Sequence, residues 1–308
     1  MNDKIKKIIE NIEKVFIGKP DTIKACIAGV IAGGHILIED VPGIGKTILA
    51  KSLARSIDAD FARIQFTPDM LPSDITGSYI YNQKTEEFTF IEGPVFTHIL
   101  LGDEINRTTP RTQSALLECM EEQQVSVEGE TRKLENLFFV IATQNPVELE
   151  GVYPLPEAQL DRFLMKVTIG YPSQENELRM IDLHSAHTPV DDLKPVVSVD
   201  DILDIREQVG KVHIDSDLKE YAVRIVNCSR EDSSAALGGS PRATLALIKA
   251  SRAFAYIDGY DFVTPGIIKE TAVKVLNHRI VLTPQARLSG TSPDKVIQGI
   301  LGSVEVPE

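Results

Sequence analysis

An apolar run, His35-Ile36-Leu37-Ile38-Glu39, leads into Asp40-Val41-Pro42-Gly43-Ile44-Gly45-Lys46-Thr47, and this stretch limits the possible folds most tightly. Behind it, Leu49, Leu53 and Ile57 recur every fourth residue, which is helical spacing. A strand, a glycine-bearing loop ending in Gly-Lys-Thr and then a helix is the context of a phosphate-binding loop. Successive backbone N–H groups and a helix N-terminus point at the anion, and glycine lets the backbone approach it closely. Lys46 is then placed for the β- and γ-phosphates and the Thr47 hydroxyl for Mg²⁺.

One position departs from that pattern: the residue six before the lysine is Asp40 rather than Gly. Taken alone, the stretch is also compatible with a fortuitous Gly-Lys-Thr turn, so the rest of the chain has to supply partners for it.

Upstream, Ile5, Ile8, Ile9, Ile12 and Val15 mark one side of a helix over 3–16. A break at Phe16-Ile17-Gly18-Lys19-Pro20 precedes a second helical segment, 21–32. Downstream, Phe61 to Phe66 alternates as a strand, and His98 to Leu101 is an apolar strand ending at Asp103-Glu104. Leu137 to Ala142 is fully apolar, as inside a parallel sheet, and Met165 to Ile169 is a fifth strand. Strands separated by helical connections predict a parallel α/β sheet. Thr109-Pro110 begins one of those helices.

Two stretches interrupt this rhythm. Ser78-Tyr79-Ile80-Tyr81 and Glu87-Phe88-Thr89-Phe90, within 73–95, predict a projecting hairpin; residues 124–135 predict a second around Glu128-Gly129-Glu130. Tyr171-Pro172-Ser173 marks a boundary, and from about 185 amphipathic helices predominate, with N-cap and proline starts at Ser240-Pro241 and Thr264-Pro265. The predicted organisation is an α/β domain over 1–171 and a linker with a smaller helical domain over 172–308.

The 308 residues are 43% hydrophobic and 25% charged, a soluble globular composition. No run is long and apolar enough to span a bilayer, and Met1-Asn2-Asp3-Lys4 does not begin a secretory signal. Cys26, Cys119 and Cys228 lack metal spacing and suit a reducing cytosol as core filler, so a cytoplasmic location is expected. His184-Ser185-Ala186-His187 has metal-like spacing without supporting carboxylates or thiols and reads as solvated linker. The net charge of −13, with pI near 5.0 and no basic stripe, argues against nucleic acid as the main partner.

Asp103-Glu104 at a strand end gives the loop its chemistry. Asp103 suits Mg²⁺ through its water shell, and Glu104 suits orienting and polarising an attacking water. The strand over 137–142 ends in Thr143-Gln144-Asn145 beside the same crevice, where open α/β sheets bind ligands. Gln65 faces that edge too, either as a clamp on Glu104 or as a capped strand end.

With those residues in place, the chain resembles the MoxR family of AAA+ ATPases over nearly its whole length. The resemblance is carried by Glu39 to Thr47, Gln65-Phe66-Thr67-Pro68-Asp69, Leu71 to Gly77, Asp103-Glu104-Ile105-Asn106-Arg107, Ala142 to Pro146, Leu155 to Phe163, and Ser240-Pro241-Arg242-Ala243. It implies a P-loop αβα domain with a five-stranded parallel sheet and a smaller all-helical lid. It tolerates aspartate at the first loop position. It implies that Ile17 and Gly18 line the adenine, and that Val41, Pro42, Gly43, Ile44, Gly45, Lys46, Thr47 and Ile48 hold ATP, with Mg²⁺ on Thr47 and Asp103. Asn145 matches sensor 1, Arg162 the arginine finger given to a neighbouring subunit, and Arg242 sensor 2, which acts in its own protomer or across the boundary. The hairpins match inserts facing a central pore, where Tyr79, Tyr81 and Phe88 either grip a client or pack on themselves. The implied activity is ATP hydrolysis in a homo-oligomeric ring, a hexamer, that remodels, activates or assembles a protein client, often a von Willebrand factor A-domain partner. The alternatives are a nucleic-acid-dependent motor of the same clade, a magnesium-chelatase-like motor subunit, or a nucleotide-gated scaffold that scarcely turns over.

Overall fold

The computed structural model describes residues 2–84, 86–146, 151–184 and 189–307. In chain order its strands are β1 (Ile36–Glu39), β2 (Phe61–Gln65), β3 (Gly77–Asn82), β4 (Glu87–Glu92), β5 (Ile99–Asp103), β6 (Gln124–Val127), β7 (Glu130–Lys133), β8 (Phe139–Gln144), β9 (Met165–Val167), β10 (Ala235–Leu237) and β11 (Val281–Leu282). Five of them form one sheet in the order β2-β5-β8-β1-β9, all parallel. Parallel pairing brings the ends of β1, β2, β5 and β8 to one edge.

The apolar runs explain why the sheet is covered on both faces. Ile36, Ile38, Ile99, Leu101, Phe139 and Ile141 pack one way, against the helices Asp3–Glu13, Pro20–Ile31 and Lys46–Ser56. Leu37, Leu100, Val140 and Ala142 pack the other way, with Phe66, Leu116 and Leu117. All ten of these strand side chains are fully buried. At roughly 1.5–3 kcal/mol for each large aliphatic side chain, this burial outweighs any surface ion pair in holding the sheet.

β8 lies two residues later than its apolar run predicts. Hydrophobicity ends at Ala142, but the ladder continues, with Ile38 opposite Thr143 and Glu39 opposite Gln144. The polar strand end is thereby carried into the sheet. The two hairpins form as antiparallel pairs, β3 with β4 and β6 with β7. Tyr79 packs at a tilt against Phe90 and Tyr81 against Phe88, each at 5.3 Å between centroids. The Tyr79 hydroxyl donates to Glu130, and the Arg132 guanidinium lies 4.3 Å from the Phe90 ring, so the hairpins brace each other.

Beyond β9 the described residues are mainly helical, with β10 and β11 paired as a two-stranded ribbon. Helix begins at Gln174, earlier than the amphipathic pattern predicts. Ser240, Thr264, Thr283 and Ser292 each cap a helix whose next residue is proline, their hydroxyls accepting backbone N–H bonds. Tyr221, Leu247, Phe254, Ile268 and Ile297 fill the lid core. Arg279 pins the lid to the sheet domain. It is buried and donates to the Asp161 carboxylate at 2.7 Å and to the carbonyls of Asp161, Phe163 and Leu164 at 3.0, 2.6 and 3.1 Å. Among the described residues no helix is long and apolar enough to cross a membrane. The metal-spaced histidine pair is not assessed by the structure, because His187 lies outside the described residues.

Candidate functional site

The loop between β1 and the helix Lys46–Ser56 turns through two left-handed glycines, Gly43 (φ 83°) and Gly45 (φ 89°). Any other residue type is strained at such angles. A Cβ on Gly43 would meet nothing within 4 Å, so the cradle is open above that residue. Lys46 is buried and donates to the Asp40 carbonyl at 2.6 Å, a bond that leaves two further ammonium donors. Burial lowers its pKa, while the charges of Asp103, Asp40 and Glu104 act in the opposite direction. The lysine is thus held in a field of three carboxylates, two of them at the end of β5.

Asp40 accounts for its own departure from the usual glycine. Its carboxylate accepts from the N–H of Val41 at 2.9 Å, and from those of Ile169 and Gly170 at 2.8 and 2.6 Å. Glycine has no side chain to make those bonds, so in this chain the start of the phosphate loop is tied to the segment leaving β9.

At the ends of β5 and β8 the bonds are equally specific. Thr143 donates to Asp103 Oδ1 at 2.8 Å and accepts from the Glu104 N–H at 2.9 Å. Arg63 holds the other Asp103 oxygen at 2.8 Å. Glu104 sits at φ 58°, a left-handed angle that costs a non-glycine residue of order ~1 kcal/mol and is typical of functional positions. Its carboxylate accepts from Gln65 at 2.8 Å and from Arg107 at 2.9 Å. The clamp geometry considered for Gln65 is therefore present. Asn145 is buried one residue past β8, the strand between β5 and β1.

A cavity of about 380 Å³ adjoins the loop, lined by Phe16, Ile17, Pro42, Gly43, Ile44, Gly45 and Ile48 on one side and by Met180 and Ile181 on the other. Ile17 lines this cavity. Gly18, in contrast, does not line the cavity: it packs on Asn176, whose amide nitrogen lies 2.1 Å from where a Cβ would be. Val41 and Thr47 are also outside this lining, half-buried in the loop and the helix start. Periodicity alone did not reveal Met180 or Ile181, because the helix Gln174–His184 reaches the loop only through tertiary packing.

Arg162 and Arg242 stand together in a different cleft, of about 560 Å³, whose lining includes neither Lys46 nor any other phosphate-loop residue. Arg162 Nε lies 3.1 Å from Glu121, and Arg242 pairs with the other oxygen of the same carboxylate. Five cationic side chains (Arg162, Arg242, Lys249, Arg252 and Arg279) line this cleft against two carboxylates, Glu121 and Asp161. Such an excess of positive charge suits an anion.

Residues 35–165 match the ATPase family associated with various cellular activities, and residues 228–300 match the AAA lid domain. The chain is 41% identical to Chaperone MoxR1 of Mycobacterium tuberculosis, over 99% of its own length and 82% of that protein. It is 49% identical to the Bacillus subtilis protein YeaC, over 98% and 94% respectively. A crystal structure of a Cytophaga hutchinsonii protein, 43% identical, superposes with a TM-score of 0.94, over 99% of this chain and 96% of that one. A phosphate loop on a five-stranded parallel sheet, a helical lid behind it and full-length similarity to MoxR1 together give one answer: the chain belongs to the MoxR family of AAA+ ATPases.

Proposed function

We propose that the chain hydrolyses ATP as one subunit of a homo-oligomeric ring, with each nucleotide held between two subunits. The observation that carries this reading is the separation of the two arginines from the phosphate loop: both line a cationic cleft that the loop does not enter. A finger serving its own protomer would open onto the cavity that Pro42 to Gly45 line.

In this reading residues 1–171 form the hydrolytic domain and 172–308 the linker and lid. Val41 to Ile48 hold the triphosphate, and Lys46 leaves the Asp40 carbonyl to bind the β- and γ-phosphates. Thr47 and Asp103 hold Mg²⁺, which supplies charge neutralisation on the phosphates. Glu104 orients the attacking water once Gln65 and Arg107 release it, and Asn145 places that water near the γ-phosphate. Arg162 and Arg242 stabilise charge on the phosphoryl group bound by the neighbour. The name of the chaperone relative supports remodelling of a protein client, and the hexameric ring and cytoplasmic location stand with it as the sequence expectation; a von Willebrand factor A-domain protein is the partner class to test first.

Turnover per subunit is expected to rise with protein concentration as subunits assemble; a flat profile overturns the shared site. Glu104→Gln is expected to bind ATP and lose at least about a hundredfold in turnover. Unchanged turnover in that variant would remove Glu104 from the chemistry.

A further inference from the structure

The helix Pro110–Glu122 ends in an awkward sequence. Glu118, Glu121 and Glu122 crowd its last turns, and no basic residue offsets them. Negative charge at a helix C-terminus opposes the helix dipole, so local stability does not explain Glu121. Its two oxygens explain it better: one takes Arg162 and the other Arg242.

The backbones behind those arginines are joined as well. Asp161, the residue before Arg162, accepts from the Ser240 hydroxyl at 2.7 Å, and Ser240 caps the helix that carries Arg242 in its first turn. One carboxylate thus links the two arginines at their backbones and another links them at their guanidinium ends. Without Glu121, two like charges would face each other across a cleft that already has a cationic excess, and they would move apart.

We propose that Glu121 is a positioning residue that presents Arg162 and Arg242 as a single two-pronged unit to the nucleotide of the neighbouring subunit. This rests on the shared-site reading above. The γ-phosphate, with its higher charge, draws both prongs forward from the carboxylate, and Glu121 sets the spacing at which they arrive.

The test uses the assembled full-length protein. Glu121→Gln is expected to lower turnover at saturating ATP by about tenfold to a hundredfold, the scale of a misplaced catalytic group. ATP affinity and assembly, followed by nucleotide titration and sedimentation velocity, are expected to stay at the unsubstituted level, and Glu121→Asp is expected to recover part of the rate. Mixing Glu121→Gln with Lys46→Ala should restore turnover, because the first supplies an intact phosphate loop and the second an intact arginine pair. Turnover of Glu121→Gln at the unsubstituted rate, lost assembly, or no gain on mixing overturns the proposal. A parallel mixture of Arg162→Ala with Lys46→Ala separates the two readings. If it gains activity where the Glu121→Gln mixture does not, only the role of Glu121 fails; if neither gains, the shared site fails.

Discussion

Lys46 is buried, its loop is tied to β9 through Asp40, and the neighbouring carboxylates are held by Thr143, Arg63 and Gln65. Arg162 and Arg242 are instead about a third and a half exposed, and they share one carboxylate at a helix end. Breaking a hydrogen bond to a buried charged group such as the Asp40 carboxylate typically costs about 1.5–3 kcal/mol, whereas an exposed ion pair contributes about 0–1 kcal/mol. The phosphate-loop side is therefore already organised in the single chain. The arginine side is aimed but easily released, as the proposed docking of a second subunit requires.

Four measurements probe this contrast. Arg162→Ala is expected to lower turnover about a thousandfold while ATP binding stays within about twofold. Steady-state rates and nucleotide titration on one preparation check it; a comparable loss of binding would place Arg162 in its own protomer's site and erase the distinction. The next effect comes from acid. His35 is buried, its Nδ1 accepting from Val140 N–H and its Nε2 facing the Met120 carbonyl, one residue before Glu121. Burial lowers its pKa to about 4 from 6.5. Between those values the unfolded chain takes up a proton that the folded chain refuses. The stability is therefore full above pH 6.5 and falls as the pH drops towards 4, by roughly 2 kcal/mol at pH 5 from this group. Urea titrations at pH 7 and pH 5 check it, and His278, also buried with a lowered pKa, acts in the same direction.

Asp40→Asn removes the charge that accepts the Ile169 and Gly170 N–H groups and is expected to weaken nucleotide binding about tenfold, the scale of one charge-assisted hydrogen bond. An unchanged affinity would mean that the loop holds its shape without that tie. The smallest effect is expected from Gln65→Ala. Releasing Glu104 from its 2.8 Å bond should raise basal turnover about threefold, with binding unaltered. A fall in basal turnover would make Gln65 a support for Glu104 rather than a restraint.

What could be read without coordinates was local. The phosphate loop, the Asp103-Glu104 strand end, both hairpins and the proline-marked helix starts each have their signal within a few residues. The non-local ties left no such signal. Asp40 finds its partners at 169 and 170, and Glu121 gathers residues from 162 and 242. The helix Gln174–His184 reaches the cavity beside the phosphate loop although its pattern is weak. β8 extended past its apolar run because pairing with β1 determines its end, and hydrophobicity does not record pairing.

Arg279 has a consequence for how the two domains of a subunit move. Lifting the lid from the sheet domain would strand a buried guanidinium, and each broken contact to Asp161, Phe163 and Leu164 would add to that penalty. The two domains are thus geared as one body along this seam. In the ring proposed above, displacement generated at one site would have its easier outlet at the boundary with the next subunit, and work would pass around the ring rather than being absorbed within a protomer.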